Sequence, residues 1–158
     1  KSSDGSGNVE ATEMQKKFAD ETHGHYGAYS TSSNGCTTVT AWFISEHTTL
    51  TYGHGNGNQV VKQLIAANPG KNLKSEPYPT KAPAIFSSVA GHMHASGDAG
   101  HTGVVTSVDP TTGTIHTLES GANNSMSGLS SPWSKTFEWK KEDYSSGVEF
   151  VYVGDYLK

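Results

Sequence analysis

The 158-residue chain carries eleven basic residues, all of them lysines, and fifteen acidic ones, for a net charge of −4. With no guanidinium for bidentate phosphate contacts and no basic stripe, nucleic acid is excluded as the expected partner. A domain of this length buries most of its unfolded surface without disulfides or metal, and no stretch approaches the roughly 18 apolar residues of a membrane span. The chain starts at Lys1 with no charged-then-apolar leader, the pattern of a mature or excised domain.

Residues 1–8, rich in Ser and Gly, read as a flexible linker, and residues 9–158 as a single domain, a monomer in isolation that sits beside other domains of its parent. Residues 9–21 form an amphipathic helix with Met14 and Phe18 on one face. Residues 23–35 are a Gly, Ser, Thr and Tyr-rich loop, and a second helix runs from Cys36 to about His47. The glycine-rich turn at residues 53–58 leads into a third helix over 59–67, closed by Asn68, Pro69 and Gly70. That turn lacks the Lys-Ser/Thr of a phosphate loop.

Strand patterns begin after Pro83, over residues 84–89, 102–108, 114–120, 135–140 and 148–156. The second and third flank Asp109-Pro110-Thr111-Thr112-Gly113 and read as a hairpin. Helices come first and an antiparallel sheet of about five to six strands second, which makes the class α+β.

Cys36 is the only cysteine, so it closes no intrachain disulfide. A small core residue, a metal ligand and a nucleophile are the readings open to it. Its position after Asn34-Gly35 and at a helix start suits the third. Unpaired N–H groups and the helix dipole favour a thiolate there, and such settings lower cysteine pKa values from ~8.5 to roughly 3.5–7.5. A thiol nucleophile needs a base. Of eight histidines, His101 opens a strand just after Ala99-Gly100, and Glu119 lies near the end of the next strand, where a hairpin register can set it beside His101. An imidazole can take the thiol proton and later protonate a leaving amine, while a carboxylate on its other nitrogen fixes the tautomer.

Asn34-Gly35-Cys36-Thr37, Gly55-Asn56-Gly57-Asn58, Ala82-Pro83-Ala84-Ile85, Gly100-His101-Thr102-Gly103-Val104-Val105 and Leu118-Glu119-Ser120, in that order, resemble the landmarks of CHAP domains, the cysteine, histidine-dependent amidohydrolases/peptidases. The resemblance spans about residues 22–156. It implies a papain-like fold and hydrolysis of amide bonds in bacterial peptidoglycan, either between muramic acid and L-alanine or within the peptide stem and cross-bridge. It assigns Cys36 as nucleophile, His101 as base and Glu119 as orienter, and implies an extracellular or wall-associated setting. Many members carry an asparagine two residues beyond the glutamate, where this chain has Gly121, with Asn123 and Asn124 nearby. Some phage members hold calcium in an acidic loop before the cysteine. Residues 29–34 contain no carboxylate, so no calcium or other cofactor is expected.

Oxyanion or substrate-binding roles are expected among Tyr29, Ser30, Asn34, Asn123 and Trp133. For Trp42, Trp133, Trp139 and Tyr144, a place in the core or half-buried on a strand is weighed against a groove. Two alternatives stand beside the cysteine enzyme. His92, His94, Asp98 and His101 contain His-x-His and His-x-x-x-Asp pairs that suit zinc, although in LytM-like zinc endopeptidases those motifs stand apart rather than overlapping in one loop. The other is a non-catalytic wall-binding or assembly module on the same fold.

Overall fold

The computed structural model describes residues 7–23, 29, 35–93, 95, 97–121 and 133–158. Three helices precede a five-stranded sheet, with α1 at Ala11–Thr22, α2 at Thr37–His47, α3 at Val60–Ala67, β1 at Ala84–Ser88, β2 at His101–Val108, β3 at Ile115–Gly121, β4 at Trp133–Trp139 and β5 at Val148–Tyr152. Every pairing is antiparallel, in the order β4-β3-β2-β1-β5. The class is α+β, as the order of sequence patterns indicates.

In α1, Ala11, Met14, Phe18 and Thr22 recur at helical spacing and turn one face inward. Helix α2 is different: Thr38 through Ile44 are all buried, so it runs through the centre rather than lying on the surface. Phe18 meets Trp42 edge to face at 5.1 Å, and the Trp42 indole N–H donates to Glu21 Oε1 at 2.9 Å. This contact fixes α1 against α2 by packing and by a hydrogen bond.

Strand alternation gives the sheet two buried faces. Leu118, Val104, Ile85 and Val151 stand side by side across four strands and join the helices in the main core. Their neighbours Val105, Phe86 and Phe150 turn the other way, into a second cluster with Tyr144. By the same alternation His101, Gly103, Thr117 and Glu119 lie on this second face.

The β2–β3 hairpin turns where expected. Asp109 Oδ1 accepts the N–H groups of Thr111 and Thr112, and the Gly113 N–H donates to the Asp109 carbonyl at 2.8 Å, with Gly113 at φ +80°. Strand β4 starts at Trp133, two residues before the alternating pattern. Strand β5 stops at Tyr152 rather than 156, because Gly154–Tyr156 coils into a 3-10 turn whose Tyr156 N–H returns to Val153. Another 3-10 turn, Gly57–Gln59, precedes α3 and accounts for the start of the expected third helix. At the end of the expected linker, the Asn8 side chain both donates to and accepts from the backbone of Val108.

Candidate active site

Cys36 is the residue that precedes α2, and its side chain makes no capping hydrogen bond. The cap comes from another element. Ser120 Oγ accepts the Val39 N–H at 3.1 Å and donates to the Gly35 carbonyl at 3.1 Å. One β3 hydroxyl thus satisfies an orphan donor of the first helical turn and holds the residue before the cysteine. The partly exposed Cys36 thiol is left with no structural capping duty.

His101 begins β2 and is 2% exposed; Glu119 on β3 is 0% exposed. His101 Nε2 lies 2.7 Å from Glu119 Oε1, which leaves Nδ1 as the ring nitrogen for Cys36. Burial alone disfavours the imidazolium, but hydrogen bonding to Cys36 and to Glu119, with the charge of both, outweighs it and raises His101 from 6.5 to about 10. The histidine is therefore held charged across the neutral range, with the carboxylate on one nitrogen and the thiol on its other side.

Two glycines make this arrangement possible. The register sets Glu119 opposite Gly103, so its side chain must cross Gly103 to reach His101. A Cβ at residue 103 would stand 2.8 Å from Glu119 Cγ and 2.8 Å from Phe86 Cε2. Gly57 lets the turn before α3 press on the His101 backbone, where a Cβ would lie 2.7 Å from His101 Cα. Gly103→Ala is expected to cost about 1–3 kcal/mol by overpacking and on the order of 10²-fold in turnover by displacing the carboxylate. Thermal melting and single-turnover rates check both parts, and a parent rate in a protein that melts lower would dissociate Gly103 from the site.

Sequence reasoning does not reach three further groups. Thr117 Oγ1 and Trp139 Nε1 donate to Glu119 Oε2 at 2.5 and 2.9 Å. The sequence offers Trp139 only as a core or groove residue. Tyr52 is 9% exposed, and among the described residues its buried hydroxyl has no hydrogen-bond partner; Thr37 is near but lacks the geometry. Burial first, then electrostatic coupling to Cys36, pushes the Tyr52 phenol up to about 12 against a smaller lowering from Thr37, so it remains a neutral hydroxyl beside the Cys36 thiol.

The remaining expected residues fall elsewhere. The Tyr29 hydroxyl donates to Glu46 Oε2 at 3.1 Å, near the far end of α2, about 15 Å along the axis from Cys36 at 1.5 Å per residue. Ser30, Asn34, His94, Asn123 and Asn124 lie outside the described residues. The Trp133 backbone pairs with Gly121, and its side chain is outside the description. Trp42 and Tyr144 are core residues, 0% and 1% exposed. Among the described residues no three His, Cys, Asp or Glu side chains converge as metal ligands, and His101 is engaged by Glu119 and Cys36. The His92 ring packs on Gly147, where a Cβ would meet its Cδ2 at 2.5 Å.

A cysteine at a helix start, a charged histidine at a strand start and a carboxylate behind it thus stand together on this α+β fold. The family model of the CHAP domain matches residues 24–121, more than half of the chain. The chain belongs to the CHAP domain family, a family of peptidoglycan hydrolases and amidases. A search of the curated proteins found no match to it.

Proposed function

We propose that this domain cleaves amide bonds of bacterial peptidoglycan, as an endopeptidase or an N-acetylmuramoyl-L-alanine amidase, through a thioester on Cys36. The observation that carries the reading is the buried 2.7 Å contact of His101 Nε2 with Glu119 Oε1, with Cys36 on the other side of the imidazole.

In this reading the Cys36 thiolate attacks the scissile carbonyl and the protonated His101 gives its proton to the departing amine. Water then attacks the thioester while His101 takes one of its protons, releasing a carboxylic acid and regenerating the thiolate. Glu119 holds the ring in one orientation throughout. The Cys36 backbone N–H at the helix start is one donor to the oxyanion, and the Tyr52 hydroxyl is available as a second. Peptidoglycan lies outside the cytoplasmic membrane, so a wall-facing location follows from the substrate. No described helix is long and apolar enough to cross a membrane.

Inhibitors test the thiol chemistry directly. With purified walls and an assay for newly released amines, iodoacetamide is expected to stop release and a chelator to leave it unchanged. Full activity after alkylation, lost on chelation, would instead favour the loop histidines. Wall binding with no new amine from the intact protein would favour a non-catalytic module.

A further inference from the structure

We propose that Thr117 and Trp139 are positioning residues for the Cys36–His101–Glu119 site, holding the outer oxygen of the Glu119 carboxylate so that its inner oxygen stays on His101. The inference rests on the proposed thiol chemistry and extends it to two residues outside that trio.

Glu119 has two oxygens with separate tasks. Oε1 faces His101, while Oε2 accepts Thr117 Oγ1 at 2.5 Å and Trp139 Nε1 at 2.9 Å. The indole N–H is also 3.1 Å from Thr117 Oγ1, so the three groups form a closed triangle in which threonine passes on a hydrogen bond it receives. An indole N–H can only donate, and the threonine proton is already directed to the carboxylate, which leaves Oε2 surrounded by donors. Gly121, two residues further along β3, has no side chain to offer.

The strand register explains the reach. Trp139 stands opposite Ile115, and Phe137 opposite Thr117, so the indole must lean along the sheet past its neighbour to arrive at Glu119. The Phe137 ring lies 5.8 Å from Trp139 at 34° and supports that lean. Among the described residues, the titratable groups facing His101 are Cys36 from the start of α2 and Glu119 from β3. Strand β1 presents Phe86, at 5.9 Å, and the turn before α3 presents the backbone of Gly57. The carboxylate is thus one of the two groups that hold the imidazole charged, and whatever fixes the carboxylate acts on His101 at one remove.

Trp139→Phe keeps the ring and removes the N–H; Thr117→Val keeps the shape and removes the hydroxyl. The experiment follows the His101 ring by nitrogen-15 NMR as pH rises, assigned by comparison with His101→Ala. The midpoint is expected to fall by about one pH unit in each variant, the size of one lost charge-assisted hydrogen bond, with Thr117→Ser restoring it. In a Glu119→Gln background, Trp139→Phe is expected to add no further shift, since both act through one carboxylate. An unchanged His101 midpoint in both folded single variants, or a further shift from Trp139→Phe in the Glu119→Gln background as large as in the parent, would overturn the proposal. Because the titration needs no wall substrate, a protein that releases no amine yet shows these shifts would count against the hydrolase reading alone.

Discussion

Cys36→Ala is expected to lower amide cleavage by roughly 10⁴–10⁶-fold, the range seen when the nucleophile of a nucleophile–base pair is removed. The size follows from what the thiol does. Without it there is no covalent intermediate, and His101 and the oxyanion donors are left to promote direct attack by water. The fold is expected to survive, because Cys36 is partly exposed and the turn before α2 is held by Ser120 rather than by the cysteine. Side-by-side release assays and thermal melts check the two halves. Residual cleavage near the parent rate would transfer the chemistry to another group.

Glu119→Gln is expected to lower kcat/KM by on the order of 10²–10⁴-fold and to change its pH dependence. The competent histidine is the protonated one, held up to about 10 by Cys36 and Glu119 against the cost of burial. In the parent the alkaline limb of kcat/KM is therefore expected near pH 10. Removing the carboxylate charge moves that limb down, toward the ordinary histidine value of 6.5. Stability follows the same sign. A folded-state pKa above the unfolded one contributes stability in full below 6.5 and loses it as pH rises through about 10. Melting temperatures of the parent minus those of His101→Ala should decline across that interval. A flat difference, or an alkaline limb that stays in place in Glu119→Gln, would contradict the role given to the carboxylate.

The parts of this site that sequence made legible are those that depend on local pattern. Met14 and Phe18 mark the inner face of α1, Gly113 marks the hairpin turn, and Cys36 marks a helix start, each by residue chemistry within a few positions. His101 and Glu119 were within reach because a hairpin couples two neighbouring strands through a single turn. Thr117, Trp139, Tyr52 and Ser120 were not. Trp139 meets Glu119 only once the β3–β4 register is known, and β4 is joined to β3 through residues 122–132, a Ser- and Asn-rich connection too long for a tight hairpin turn to fix the register. Ser120 acts across the sheet on a helix 81 positions away in sequence, and Tyr52 acts from the segment after α2. Such tertiary partners leave no periodic trace. The end of β5 escapes the pattern for a similar reason, since the 3-10 turn after it is closed by the Tyr156 N–H bonding to the Val153 carbonyl, which alternation does not reveal.

Mass spectrometry of peptidoglycan digested in parallel by the parent domain and by Cys36→Ala tests the central claim most directly. The account predicts that the parent generates matched new amino and carboxyl termini at one amide bond, and that these fragments are missing from the Cys36→Ala digest. New reducing sugar ends without new amines, or the same amine-terminated fragments from Cys36→Ala, would contradict it.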